Sequence, residues 1–137
     1  MLETYKVEVK EDGTTSWYNE NGEYHRSKNL PAIEYANGNK FWYNNGKFHR
    51  DDGQPAVIYS NGDKFWYVNG KLHREGGLPA AEYAVGNKFW YVNDKLHRDS
   101  GLPAIEYIDG TKFWWIHGKR VTEQEAVSQR DQLELLM

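Results

Sequence analysis

Residues 30–53 read LPAIEYANGNKFWYNNGKFHRDDG, and the phrase returns as QPAVIYSNGDKFWYVNGKLHREGG over 54–77, LPAAEYAVGNKFWYVNDKLHRDSG over 78–101 and, cut short, LPAIEYIDGTKFWWIHGKR over 102–120. Pro31, Pro55, Pro79 and Pro103 keep a strict spacing of 24. A fixed period of this length marks a repeat architecture, in which each unit buries its apolar face against its neighbours. Asp12 to Asn29, DGTTSWYNENGEYHRSKN, is a divergent copy. It aligns through Trp17, Tyr18, Gly22, His25 and Arg26, with one extra residue between the aromatic pair and its Gly.

Turn chemistry divides each unit. Asn37-Gly38, Asn61-Gly62 and Asp109-Gly110 stand between short β-prone runs, and Asn45-Gly46 and Asn69-Gly70 do so a few residues later. Such pairs accept positive φ at both central positions, so type I′ hairpin turns are expected at all five. Asn93-Asp94 breaks the second series. Asp tolerates the left-handed region less well than Gly, and a slightly strained turn is expected there. The proline opens the first run, where no ladder donor is needed. A unit thus reads as strand, turn, strand, turn, a short extended piece ending in His-Arg, and an acidic Gly-containing loop. Whether the extended piece pairs, giving three strands per unit instead of two, stays open.

The ends differ from the repeats. Residues 1–11 alternate Tyr5, Val7 and Val9 with Lys6, Glu8 and Lys10, a strand pattern and not the apolar block of a signal peptide. In 121–137, Thr122 and Glu125 have capping-box spacing, flanked by Val121 and Ala126 as a hydrophobic staple. A helix to about Leu136 follows, with Ala126, Val127, Leu133, Leu136 and Met137 on one face, placed to cover the last unit. The expected fold is mainly β: one domain, an elongated array of antiparallel β-hairpin repeats with a C-terminal capping helix. Its parts are an N-terminal strand (1–11), a divergent repeat (12–29), full repeats (30–53, 54–77, 78–101), a truncated repeat (102–120) and the helix (121–137).

Composition narrows the function. Rings dominate the apolar material, with 6 Trp and 10 Tyr among 137 residues. Without cysteine the chain has no disulfide and no thiolate metal site. No stretch is long enough to cross a membrane, and a soluble cytoplasmic protein is expected. Glu123, Glu125, Asp131 and Glu134 against Arg130 place the whole net charge of −3 in the tail, so residues 1–120 are neutral. Overall charge therefore gives no support to a basic face for nucleic acid or membrane as partners, and a local basic stripe stays open.

Strand alternation would put Phe41 and Tyr43 on one face and Lys40 and Trp42 on the other. Rings as core is the favoured reading. In the alternative, Trp42, Trp66, Trp90 and Trp114 form an exposed ladder with Lys40, Lys64, Lys88 and Lys112 beside them, and these eight are the candidate binding residues. His49, His73 and His97, like His25, recur once per unit, each followed by Arg. Catalytic or metal-binding histidines are normally singular or clustered, so these are read as structural, tying a loop to its neighbour. Arg50, Arg74 and Arg98 are expected to pair with Asp51, Glu75 and Asp99 or with an adjacent strand. The lesser reading is a row of imidazoles that switches an interface at about pH 6. No phosphate-binding Gly loop, Gly-x-Ser-x-Gly elbow or His-Glu-x-x-His occurs. No enzyme, metal or cofactor is expected.

The recurring Trp-Tyr-x-Asn-Gly-Lys-x-His-Arg…Gly-x-Pro-Ala phrase, over about residues 12–121, resembles the MORN-like (variant) tandem repeats of bacterial and bacteriophage proteins. The resemblance implies successive hairpins and protein–protein contact. It departs from the shorter Gly-rich eukaryotic unit, so lipid binding is not carried over. The expected function is a non-catalytic protein-binding module. By analogy with phage proteins it would bind and inhibit a host protein, such as a CRISPR-type defence protein, in the host-cell cytoplasm. The alternatives are an aromatic ladder for a glycan or single-stranded nucleic acid and, last, an enzyme. A homodimer through an uncovered sheet edge is a further expectation.

Overall fold

The computed structural model describes residues 4–136, without the side chains of Leu133 and Glu134. It is mainly β, built of antiparallel hairpins that follow the sequence period, with one C-terminal helix. The chain divides into two compact units, Met1–Lys71 and Leu72–Met137.

In the first unit the strands are β1 (Lys6–Val9), β2 (Thr15–Tyr18), β3 (Ile33–Glu34), β4 (Lys40–Phe41), β5 (Tyr43–Asn44), β6 (Lys47–Phe48), β7 (Val57–Ile58), β8 (Lys64–Phe65) and β9 (Tyr67–Val68). The division falls inside β10 (Lys71–Leu72). A main sheet takes the order β1-β2-β3-β4-β7-β8, while β5 and β6 form a separate two-stranded hairpin. The second unit repeats the plan. β11 (Ala81–Glu82), β12 (Lys88–Phe89), β15 (Ile105–Glu106), β16 (Lys112–Ile116) and β17 (Lys119–Val121) lie in sheet order, and β13 (Tyr91–Val92) pairs with β14 (Lys95–Leu96). The open question of strand number is thus answered. Two strands of each full repeat enter the main sheet, and the His-Arg piece closes a second small hairpin.

Tryptophan makes the corner between the two ladders. Phe41 pairs with Ile33 and Val57 in the main sheet, whereas Tyr43 pairs with Phe48 in the small hairpin. Trp42, between them, lies outside both strands. Phe41 and Tyr43 still share a side, as alternation expects, since both rings meet Phe48, at 5.6 and 4.4 Å between centres. Lys40 is exposed, but Trp42, Trp66 and Trp90 are each only 6 % exposed, and Trp114 is half-buried. The rings are core, and the Trp/Lys ladder on one exposed face is not formed. Around them pack Ala32, Ile33, Ala56, Val57, Ala80, Ala81, Ala104 and Ile105. The Pro-Ala alanines are fully buried because the next strand passes directly over them: Trp17 N–H donates to Ala32 O at 2.8 Å and Trp42 N–H to Ala56 O at 2.7 Å.

The two turns of a unit differ although their dipeptides match. Asn45-Gly46 and Asn69-Gly70 have positive φ at both positions (48° and 82°, 49° and 84°), as a type I′ turn requires. At Asn37-Gly38, Asn61-Gly62 and Asp109-Gly110 only the glycine does. There Gly38 N–H donates to Tyr35 O and Tyr35 N–H to Asn39 O, both at 2.9 Å, a type I turn followed by a left-handed bulge residue. The expectation of type I′ at these three was wrong because the closing pair, Tyr35 with Asn39, encloses three residues and not two. Asn93 and Asp94 keep the type I′ shape (48° and 71°), and Leu72 N–H donates to Asp94 Oδ1 at 2.7 Å, which offsets the left-handed strain.

α1 (Glu123–Leu136) begins as the capping box requires: Glu125 N–H donates to Thr122 Oγ1 at 3.1 Å and Thr122 N–H to Glu125 Oε1 at 3.2 Å. The helix packs on β16, burying Ala126 and setting Val127 against Gly101. Leu136, expected on the packed face, is instead 84 % exposed, since only the first turns reach the sheet. Met137 and the Leu133 side chain lie outside the described residues. Among the described residues no helix is long and apolar enough to cross a membrane.

Candidate functional site

The His-Arg segments and the loops after them line one side of the core tryptophans, and each residue type there has a fixed task. Each loop is a further type I′ turn: Asp52 and Gly53 have φ of 63° and 69°, and Gln54 N–H reaches Asp51 O at 3.5 Å. The carbonyl of the second left-handed residue accepts the tryptophan indole N–H. Trp42 Nε1 donates to Asn29 O, Trp66 to Gly53 O, Trp90 to Gly77 O and Trp114 to Gly101 O, at 2.9–3.1 Å.

The histidines tie one repeat to the next, as the sequence suggests. His25 Nδ1 accepts from Asn45 N–H at 3.0 Å, His49 Nδ1 from Asn69 N–H at 3.0 Å, His73 Nδ1 from Asn93 N–H at 3.2 Å and His97 Nδ1 from His117 N–H at 2.9 Å. An accepting Nδ1 fixes the proton on Nε2. Nε2 then donates to Asp51, Glu75 and Asp99 at 2.8, 2.7 and 2.7 Å in the last three. A second backbone bond reinforces each junction, such as Gly70 N–H to Phe48 O at 2.8 Å.

The carboxylates expected to pair with arginine are therefore taken by histidine. The arginines lie over tryptophan, the guanidinium carbon of Arg26 3.6 Å from the Trp17 ring and those of Arg50 and Arg98 3.8 Å from Trp42 and Trp90. Each also donates through Nη1 to a proline carbonyl five residues on, and Arg26, Arg74 and Arg98 reach Glu34, Glu82 and Glu106 at 3.3, 2.9 and 2.7 Å. The adjacent-strand alternative is realised at Arg74 and Arg98 but not at Arg50, whose equivalent position holds Ile58. Each stacked contact stabilises by roughly 0.5–2 kcal/mol, more than the half-exposed ion pairs contribute.

Among the described residues a groove opens between consecutive loops in each unit. The first, about 190 Å³, has walls of His25 to Asn29 and His49 to Asp51 and a floor of Trp42 and Tyr43. The second, about 400 Å³, has walls of His73 to Leu78 and His97 to Leu102 and a floor of Trp90 and Tyr91. Leu78 and Leu102 stand 49 % and 45 % exposed at its rim, beside the outward carboxylates of Glu75 and Asp99. Burial raises the Tyr91 hydroxyl above its ordinary value and lifts that of Tyr43 to about 12. Burial also lowers Arg50.

On the main sheet Lys40, Lys64, Lys88 and Lys112 lie on the exposed surface and alternate with Glu34, Ile58, Glu82 and Glu106 across the strands. Glu82 and Glu106, the cross-strand partners of Lys88 and Lys112, are the carboxylates that Arg74 and Arg98 of the second groove reach. What the sequence reading missed is the leucine before three of the four Pro-Ala pairs, Leu30, Leu78 and Leu102, and the Arg-to-Glu spacing of eight. The second was visible as a pattern that breaks only at Ile58.

No family model, no curated protein and no solved structure matches this chain.

Proposed function

We propose that the protein is a non-catalytic binding module that engages another protein through the His-Arg loops and the grooves between them. The observation that carries this reading is that repeated, rigidly tied loops set exposed leucines beside outward carboxylates over an aromatic floor. An apolar anchor within a polar rim is the arrangement protein interfaces use. The histidines support a non-catalytic role, because both ring nitrogens of His49, His73 and His97 are engaged in holding the loops. Burial of Trp42, Trp66 and Trp90 weighs against a glycan or single-stranded nucleic acid ladder, which needs open ring faces. The resemblance to MORN-like repeats, with their phage members, adds that the partner is a host protein which binding inhibits, met in the host cytoplasm.

Photo-crosslinking tests the face. A crosslinking residue at Leu78 or Leu102 should trap one protein species in stoichiometric yield, while the same residue at Lys64 or Lys88 should not. Equal trapping from the leucine and lysine positions, or from the lysine positions alone, refutes the assignment.

The sheet edge supports a second, homotypic contact. β1 is the outer strand of its sheet and leaves Tyr5, Val7 and Val9 at 68, 51 and 67 % exposed on alternate positions. An uncovered strand of this kind pairs readily with a copy of itself. Light scattering should give twice the monomer mass, returning to one when Val7 is replaced by Lys.

A further inference from the structure

The first groove differs from its counterpart in charge through three independent substitutions. Ser27 stands where Asp51, Glu75 and Asp99 stand in later repeats, so among the described residues no carboxylate pairs with His25 Nε2, although its accepting Nδ1 leaves Nε2 as the protonated nitrogen. Lys28 stands where Asp52, Gly76 and Ser100 stand, and adds an exposed cation. Ile58 stands where Glu34, Glu82 and Glu106 stand, and removes the carboxylate that every equivalent arginine reaches.

The third substitution is decisive for Arg50. Its guanidinium lies over Trp42, donates through Nη1 to Pro55 O at 3.1 Å and through Nε to Asn29 Oδ1 at 2.9 Å. Both acceptors are neutral. Asp51, next in sequence, is held by His49 at 2.8 Å. Among the described residues Arg50 has no ion pair, so a half-buried cation faces the groove with its charge uncompensated. Such a group costs free energy unless a countercharge comes from outside. Asn29 belongs to the same device. It occupies a left-handed position (φ 58°) that Gly53, Gly77 and Gly101 fill elsewhere, and its side chain steers the Arg50 fork.

We infer that the groove lined by His25, Lys28 and Arg50 is an oxyanion site that receives a carboxylate from an acidic segment of the partner protein. A guanidinium fork is suited to bidentate contact with such a group, flanked here by an ammonium and an imidazole N–H. The second groove is unfit for it, since two carboxylates, Glu75 and Asp99, stand in its walls where the first has Asp51, and Glu82 and Glu106 neutralise its arginines. The inference rests on the loop face being the binding face and adds which chemistry docks at one of these grooves.

The test titrates the full chain with a hexaglutamate peptide and, separately, with inorganic phosphate, following the Trp42 indole N–H and the Arg50 Nε–H by two-dimensional NMR. Hexaglutamate should shift both signals saturably, at least tenfold more tightly than phosphate. Ile58→Glu rebuilds the pairing of the other repeats without disturbing the core, and should weaken hexaglutamate at least tenfold while leaving the urea midpoint unchanged or higher. Lys28→Ala, at an exposed position, should weaken it about threefold to tenfold. No saturable shift with either probe, or equal affinity in Ile58→Glu and the parent chain, overturns the site. Phosphate binding as tightly as the peptide overturns the assignment to an acidic segment and leaves a small-anion site. Failure here with undiminished crosslinking from Leu78 removes this inference alone. Loss of that crosslinking with hexaglutamate still bound removes the wider reading.

Discussion

Replacing His97 isolates the interaction that joins one repeat to the next. His97 is 7 % exposed, stacks on His117 at 4.3 Å between ring centres, accepts from His117 N–H through Nδ1 and donates to Asp99 through Nε2. Asn places an amide oxygen near the position of Nδ1, whereas Gln places its terminal group near Nε2. His97→Asn should therefore keep the inter-repeat bond and His97→Gln should lose it. An intramolecular hydrogen bond contributes about 1 kcal/mol net, and a donor left without a partner costs about 1–3 kcal/mol when buried. His117 itself is exposed, so water reaches its N–H and the lower end applies. Gln should thus be less stable than Asn by about 1 kcal/mol, and Ala less stable than either by about another 1–2 kcal/mol from lost packing. Urea unfolding followed by circular dichroism, with a common slope across variants, measures these differences. Equal stability of Asn and Gln, or Gln above Asn, would refute acceptance at Nδ1 as the bond that matters.

Three further outcomes are expected. Trp90→Ala should lose about 3–5 kcal/mol, because it empties a site 6 % exposed and strips Arg98 of its stacking surface; a loss under 1 kcal/mol in urea melts would contradict the core assignment. At Asp94, substitution by Gly removes left-handed strain but also the acceptor for Leu72 N–H, and should change stability by under about 0.5 kcal/mol, whereas Ala keeps the strain, loses the acceptor and should cost about 1–2 kcal/mol in the same assay. Burial raises the folded-state Tyr43 value to about 12, above the ordinary 10.0, so the neutral hydroxyl is favoured by folding. Its contribution is whole below pH 10 and is lost as pH climbs from 10 towards about 12, so the urea midpoint should fall over that window and fall less in Tyr43→Phe.

Much of the fold was legible because its determinants are local. The period, the β1 alternation and the Thr122-Glu125 capping box act over a few residues, and each folds as its sequence indicates. What failed needed a longer reach. Asn37-Gly38 and Asn45-Gly46 share a dipeptide, yet the turn each makes depends on which flanking residues close the ladder. The burial of Trp42 was the favoured reading and holds, but alternation alone left it open, because the chain leaves one ladder for another at that residue. The histidine ties were legible in kind, since recurrence argued for structure. Their partners, twenty residues on, were not. Arg50 shows the same limit from the other side: Ile58 stands out in the sequence as a departure from Glu, but its effect on Arg50 appears only when Arg74 and Arg98 are seen to reach Glu82 and Glu106.

The most direct measurement of the binding-face assignment is hydrogen exchange on the full chain alone and with the partner trapped at Leu78. Bound protein should slow exchange in the loops at 25–30, 49–54, 73–78 and 97–102 and leave the turns at 36–39 and 84–87 unchanged. Protection of those turns with the His-Arg loops unaffected would contradict it.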